Sequence, residues 1–181
     1  MRAKATLLGH PVHQILIVLP LGLYMCAVVF DVVTMFRPVA ELSIAAFWNI
    51  VVGTIGGLLA AVFGLIDWLS IPKGTRAKRV GIFHALTMVS VVALFTISAF
   101  LRFDRDDYFV TTAALVLELA GFALAGLGGW LGGELVDRLG VGVHEGANVD
   151  APSSLSGRPA TATTTATTPG HVPPSRTASS Y

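Results

Sequence analysis

Four stretches of the chain are apolar over a length that can cross a membrane, and they constrain the fold more than any other feature. They cover residues 12–36, 44–71, 80–101 and 109–131. The hydrocarbon core of a bilayer is roughly 30 Å thick, which takes about 20 residues of helix to cross. Hydrophobic residues make up 54% of the chain and charged residues 13%, a composition outside the range of soluble domains. An integral protein of the lipid bilayer is therefore expected.

Each apolar segment has its polar and small residues on one face, because these residues recur at steps of three and four. In lipid, such a face is expected to turn away from the hydrocarbon tails. The faces contain His10, His13, Tyr24 and Asp31 in the first segment, Gly53, Gly57, Ala60, Gly64 and Asp67 in the second, His84, Thr87 and Ser98 in the third, and Glu118, Gly121, Ala125, Gly128 and Gly132 in the fourth. One inward face per helix and short connections predict an all-α, antiparallel four-helix bundle over residues 1–146.

The order of these faces suggests a duplicated helical hairpin. The first and third segments begin near a histidine, and the second and fourth have a glycine-rich face that ends near a carboxylate, Asp67 or Glu134. The sequence offers no residue-by-residue match between the halves, so duplication stays a hypothesis. The glycine faces permit close packing within the bundle or against a second copy, which leaves a homo-oligomer open.

Residues 147–181 have a different composition. Serine, threonine, alanine, proline and glycine dominate there without apolar periodicity. A segment of this kind cannot bury enough apolar surface to offset the entropy of ordering it. It is predicted to be a disordered cytoplasmic tail.

Lysine and arginine residues are distributed unequally between the two sides of the expected bundle. One side has Arg2, Lys4, Lys73, Arg76, Lys78, Arg79 and Arg138, and the other has Arg37, Arg102 and Arg105. Because loops rich in these residues stay in the cytoplasm, both termini are expected to be cytoplasmic. A formal net charge of +1 provides no basic face for a nucleic acid.

Histidines and carboxylates group at the cytoplasmic end of the expected helices. The group consists of His10, His13, Asp67, His84 and Glu134. The positive end of a helix dipole disfavours imidazolium at the start of a helix, and neutral imidazole is the form that binds metals. Two hypotheses follow: His13 and His84 hold a haem b, or the whole group binds iron, copper or zinc. Such a protein would carry electrons or serve as a membrane subunit for a redox partner protein.

Three further ionisable residues lie away from this group. Asp31 is about 27 Å from His13 along its helix, near the point where Arg102 ends the third segment, so Asp31 and Arg102 are expected to pair. Glu118 lies roughly 14 Å into the fourth helix. For Glu118 three interpretations stay open: a hydrogen bond to a tyrosine or serine, a protonated side chain, or a place in a proton path.

A combination of motifs is similar to that of a known family. The motifs are GHPVH at residues 9–13, Asp31, GLIDWLSIPKGTRAKRVGIFH at 64–84 and GGWLGGELVDRLGVGV at 128–143. Over residues 7–144 the chain resembles the membrane family named domain of unknown function 2231, although Gln14 stands where that family usually has a second proline. The resemblance implies a four-helix protein of the bacterial inner membrane, sometimes found joined to or beside redox modules, with no established reaction. The family's recurrent positions correspond to His10, His13, Asp31, Asp67, His84 and Glu134.

A structural role is the main alternative to cofactor binding. In that case the buried histidines and acids form hydrogen bonds between helices, each contributing well under about 2 kcal/mol.

The only cysteine is Cys26, so neither a disulfide nor a cysteine-based metal site is expected. The chain has no Ser/His/Asp arrangement and no GxSxG, phosphate-binding-loop or HExxH motif, so the sequence assigns no enzymatic activity.

Overall fold

The structure, a computed structural model, describes residues 1–162, and residues 163–181 lie outside the described part. The described chain contains the helices α1 (Val12–Leu16), α2 (Val18–Phe36), α3 (Ala40–Leu69), α4 (Arg76–Arg102) and α5 (Thr112–Gly133). Only Ile17, which has helical dihedral angles, separates α1 from α2, so these two form one continuous span. Within residues 1–162, the helices long and apolar enough to cross a membrane are Val12–Phe36, Ala40–Leu69, Arg76–Arg102 and Asp106–Arg138. The predicted all-α fold is confirmed.

Threonine caps determine where two of the helices begin. Thr75 accepts a hydrogen bond from the backbone N–H of Lys78 at 3.2 Å, and α4 starts directly after it at Arg76 rather than at residue 80. Thr111 accepts from the N–H of Ala114 at 3.0 Å and caps α5 in the same way. A hydroxyl at the N-cap satisfies a free N–H group of the first turn. A hydropathy window does not detect this signal, because the capped turn of α4 is polar.

Short connections make successive helices antiparallel. Residues 37–39 join α2 to α3, residues 70–75 join α3 to α4, and residues 103–111 join α4 to α5. The last connection contains a 3-10 turn, Asp106–Tyr108, and α5 continues into a π-helical turn, Glu134–Arg138. The end of the bundle where α1 and α4 begin is called the histidine end, after His13 and His84. The opposite end, where α4 finishes at Arg102, is called the arginine end.

A two-stranded hairpin precedes the first helix. Strand β1 (Thr6–Leu7) pairs antiparallel with β2 (His10–Pro11), and Leu8 and Gly9 between them have positive φ angles. His10 is therefore extended, in strand β2. Pro11 is the residue directly before α1.

The first part of the expected tail lies against this hairpin. Residues 147–162 contain a 3-10 turn, Ser154–Ser156, and the Ser154 hydroxyl donates a hydrogen bond to the Leu8 carbonyl at 3.1 Å. The rest of the predicted tail, including His171, lies outside the described residues.

Three pairs of side chains connect the first span to α4 through the middle of the bundle. From the histidine end to the arginine end they are His13 with His84, Tyr24 with Phe95, and Asp31 with Arg102. The residue numbers of all three pairs differ by 71. Equivalent residues of two repeats contact each other only on the axis that relates the repeats. These pairs therefore mark a pseudo-twofold axis that runs along the bundle.

The second helices of the two halves, α3 and α5, are related in the same way. Their equivalent residues differ by 68 in residue number. Gly53 of α3 faces Tyr24 and Gly121 of α5 faces Phe95, and a Cβ at either glycine would lie 2.9 Å from the ring. The glycines let the two aromatic rings lie flat against the neighbouring helix. The first span with α3 is thus one hairpin and α4 with α5 is its repeat, which provides the match between the halves that the sequence alone did not.

Candidate functional site

The histidine pair lies on the pseudo-twofold axis at the histidine end. The ring centroids of His13 and His84 are 6.2 Å apart and the ring planes are nearly perpendicular, at 86°. His13 Nδ1 lies 2.8 Å from the carbonyl oxygen of Ala60, and His84 Nδ1 lies 2.9 Å from that of Gly128. Because a carbonyl oxygen only accepts hydrogen bonds, each Nδ1 carries a proton. In the neutral ring, the lone pair is then on Nε2.

Gly64 gives the His13 imidazole access to a carbonyl in the interior of α3. Gly64 follows Ala60 by one turn of α3, and a Cβ at Gly64 would lie 2.9 Å from His13 Nδ1. Gly132 occupies the equivalent place in α5, where a Cβ would lie 3.5 Å from His84 Cε1, an ordinary van der Waals contact. A carbonyl deep in a helix can accept a second hydrogen bond only where the following turn leaves space for the donor. The glycine face of α3 therefore serves a contact within the bundle at Gly64, where a side chain would displace the imidazole.

His10 and Glu134, two of the five predicted metal ligands, lie apart from this pair. His10 is exposed in β2, and its Nε2 is 3.4 Å from Ser154 Oγ. It precedes α1, so the helical phase that placed it beside His13 in the sequence prediction does not apply. Glu134 begins the π-helical turn after α5 and forms an ion pair with Arg76 at 2.6 Å, with the two side chains 19% and 55% exposed.

Asp67, a third predicted ligand, binds the N-terminal segment to the end of α3 through hydrogen bonds. Its Oδ1 accepts hydrogen bonds from the backbone N–H groups of Lys4 at 2.7 Å and Ala5 at 3.2 Å.

Within residues 1–162, no group of three or more His, Cys, Asp or Glu side chains is placed to hold a metal ion. The structure thus does not assemble the predicted five-residue set, because equal depth in the membrane does not imply the same side of the bundle.

A buried ionic cluster lies at the arginine end. The expected pair is present: Arg102 Nη1 is 2.6 Å from Asp31 Oδ2, and both side chains are fully buried. Glu118, also fully buried, has its Oε1 3.7 Å from the same Nη1. Of the partners considered for Glu118, a serine is observed, since Ser98 Oγ donates to Oε1 at 2.5 Å. Asp31, Ser98, Arg102 and Glu118 together are called the buried ionic cluster.

The buried ionic cluster has more polar atoms than it has protein partners for them. Among residues 1–162, its buried atoms without a hydrogen-bond partner are Asp31 Oδ1, Arg102 Nε, Arg102 Nη2 and Glu118 Oε2. Burying such atoms in hydrocarbon is costly. An arrangement with this cost is a candidate for a functional role rather than for packing alone.

Aromatic residues cover the cluster from the side of α3. The ring of Phe47 lies 5.9 Å from the guanidinium carbon of Arg102 and stacks on Tyr108, with 4.0 Å between centroids and 6° between planes. Ser43, one turn before Phe47, donates to the Tyr108 carbonyl at 2.9 Å. The connection from α4 to α5 is thereby held over the arginine end.

Sequence reasoning missed the partners of the histidines because those partners are backbone atoms. The carbonyls of Ala60 and Gly128 have no residue-type signature, and the signal that could have identified them is the glycine four positions after each. It also missed the hydroxyl contact between Tyr24 and Thr54, whose oxygens are 3.0 Å apart. Nothing in the spacing of these two residues singles them out.

A comparison with protein families finds one described as a predicted membrane protein, DUF2231, whose model matches residues 9–145. No curated protein and no solved structure matches the chain. The matched range extends from the N-terminal hairpin past the end of α5, so it contains both helical hairpins, the histidine pair and the buried ionic cluster.

Proposed function

The chain belongs to the DUF2231 family of predicted membrane proteins, and we propose that His13 and His84 bind one transition-metal centre between them. This proposal rests on the hydrogen bonds that orient the two imidazole rings. Both Nδ1 atoms bond to a backbone carbonyl, while neither Nε2 has a hydrogen-bond partner among residues 1–162. Histidines that ligate metals usually donate their other N–H to a carbonyl or carboxylate, which sets the tautomer and the ring orientation.

The number of ligands favours haem iron over a bare metal ion. A zinc site uses about three or four protein ligands, whereas the histidine pair offers two nitrogens. A b-type haem needs only axial histidines from the protein, because the porphyrin supplies the other donors. Two metal–nitrogen bonds of about 2 Å separate the nitrogens by about 4 Å, which is compatible with ring centroids 6.2 Å apart.

A haem or another redox-active metal centre at this position would carry electrons, and we propose that the protein is a membrane subunit for a redox partner protein. The histidine end has the exposed basic residues Lys73, Arg76 and Arg79, which favour the approach of an acidic partner surface. The excess of lysine and arginine at this end supports an inner-membrane orientation with both termini in the cytoplasm.

The second candidate is a structural or interaction module, and a specific observation favours it. Each predicted site residue already contacts another part of the protein: His13 and His84 bond to α3 and α5, and Asp31 bonds to α4. Hydrogen bonds between membrane helices contribute about 0.6 kcal/mol on average. That is enough to select one arrangement of the helices without any cofactor.

The two candidates differ in what the purified protein contains. The full chain, extracted from membranes in a mild detergent, is measured by reduced-minus-oxidised visible spectroscopy and by elemental analysis. Cofactor binding predicts a Soret band, or one equivalent of metal, that is lost in His13→Ala and in His84→Ala. His10→Ala is the matched control, because His10 is exposed and outside the pair; it should keep the cofactor.

A wild-type protein without a Soret band and without stoichiometric metal would exclude the metal-centre proposal. The structural candidate predicts instead that His13→Ala and His84→Ala lower the melting temperature, by the loss of one interhelical bond each, with no change in cofactor content. Retention of the cofactor in both histidine variants would show that it binds elsewhere.

A further inference from the structure

The buried ionic cluster departs from the pseudo-twofold symmetry of the bundle at two positions. The equivalent of Glu118 in the first hairpin is Ile50, and the equivalent of Ser98 is Ala27. Ile50 and Ala27 are both fully buried in the apolar core. The first hairpin therefore shows that this level of the bundle packs well with apolar side chains. Glu118 and Ser98 are additions that helix packing does not require.

The charge of the cluster is balanced without Glu118. Arg102 keeps its proton at any ordinary pH, and its 2.6 Å contact with Asp31 forms a neutral pair. A second ionised carboxyl in the same fully buried site would leave a net negative charge in the apolar interior, which is strongly unfavourable. One additional proton on the two carboxyls makes the cluster neutral.

The position of both carboxyls beside one guanidinium nitrogen also favours an additional proton. Asp31 Oδ2 lies 2.6 Å and Glu118 Oε1 lies 3.7 Å from the same nitrogen, Arg102 Nη1. Two ionised carboxylates that share one buried cation repel each other, so one of them favours the protonated form. Ser98 supplies a single hydroxyl, which donates to Glu118 Oε1, so it does not replace this proton.

No other charged group within the described residues competes for this role. The elements around the cluster contribute Asp31 from α2, Ser98 and Arg102 from α4, and Glu118 from α5. From α3 the facing residue is Phe47, whose ring lies 5.9 Å from the Arg102 guanidinium carbon. The proton balance is therefore set by two carboxyls and one guanidinium.

We propose that Asp31 and Glu118 form a binding site for one exchangeable proton at the arginine end of the bundle. The proton adds to a carboxylate oxygen and leaves to water, so the O–H bond alone is made and broken. Arg102 is the last residue of α4, which places the cluster close to the aqueous side at that end. Ser98 and Arg102 are positioning residues, which hold Glu118 Oε1 from two directions. The proposal does not depend on a ligand at the histidine pair.

Infrared spectroscopy of the full chain in lipid vesicles near neutral pH tests this site. A protonated carboxyl gives a carbonyl stretching band distinct from that of a carboxylate, and the band of an exchangeable proton shifts in D₂O. Glu118→Gln should abolish the band, because Asp31 then forms a neutral pair with Arg102. Asp31→Asn should abolish it as well, because Glu118 Oε1, at 3.7 Å from Arg102 Nη1, becomes the ionised partner.

The controls separate the proton site from general effects on the fold. Glu134→Gln should leave the band unchanged, since Glu134 is partly exposed and paired with Arg76. The double variant Ser98→Ala/Glu118→Ile copies the equivalent residues of the first hairpin, so it should fold and lack the band. Absence of the band in the wild type, or its persistence in Glu118→Gln or in the double variant, would overturn the proposal.

Discussion

Tyr24 and Phe95 stack face to face in the centre of the bundle, with 4.0 Å between ring centroids and 7° between ring planes. They are equivalent residues of the two hairpins, and both are buried. The stack lies in the apolar middle of the bundle, between the histidine pair and the buried ionic cluster. The two polar sites thus lie at opposite ends of the membrane span, with the apolar core between them.

Truncation of Tyr24 should destabilise the bundle more than loss of its hydroxyl. Tyr24→Ala removes the stack and leaves a cavity at the axis, with an expected loss of about 3 kcal/mol or more in the free energy of unfolding. Tyr24→Phe keeps the ring and removes only the contact with Thr54, at an expected cost of about 0.6 kcal/mol. Reversible unfolding in detergent measures both. Equal losses in the two variants would mean that the stack does not stabilise the fold.

Gly64→Ala should displace His13 from its carbonyl partner. The new Cβ would lie 2.9 Å from the imidazole, so the ring must move and the 2.8 Å bond to Ala60 breaks. We expect a lower melting temperature although alanine favours helix over glycine by about 1 kcal/mol. Gly126→Ala is the matched control in α5, where nothing lies within 4 Å of a Cβ, and it should be neutral or stabilising. A stabilised Gly64→Ala variant would show that the His13 imidazole does not need the space beside Gly64.

The arginine-end pair could be predicted from sequence because helix geometry fixes both height and face. Asp31 and Arg102 lie inside regular helices, so 1.5 Å per residue and 100° per residue locate them. The same reasoning grouped five residues as metal ligands, and the structure does not bring all five together. His10 precedes the first helix in a hairpin, and Glu134 follows α5 in a π-helical turn, so neither has the phase of the neighbouring helix.

The duplication was visible in outline but could not be aligned from sequence. The differences of 71 and 68 become recognisable only when contacts such as those of Tyr24 and Phe95 show which residues are equivalent. Most equivalent positions have different residue types, as for Asp31 and Arg102 or Ile50 and Glu118. Chemical identity is therefore a poor guide here, while position relative to the axis is retained.

The orientation of the protein is testable with two single-cysteine variants in a Cys26→Ala background. Pro72→Cys lies at the histidine end and Asp104→Cys at the arginine end, and both positions are exposed. If the basic end is cytoplasmic, a membrane-impermeant maleimide should label Asp104→Cys in intact spheroplasts. It should label Pro72→Cys only after the membrane is permeabilised. The reverse pattern would place the histidine end and the termini outside.

Replacement of Arg102 alone should lower the free energy of unfolding more than replacement of Arg102 and Asp31 together. Arg102→Met leaves the Asp31 carboxyl buried without its partner, which is expected to reduce the free energy of unfolding by about 3 kcal/mol. The double variant Asp31→Leu/Arg102→Met removes both groups and fills the space with apolar side chains. Such replacements of a buried ion pair are often neutral or stabilising, so the double variant should regain most of the loss. Unfolding of the wild type, both single variants and the double variant gives the coupling energy directly. Additive effects of the two substitutions would show that the 2.6 Å contact between Arg102 and Asp31 contributes nothing to stability.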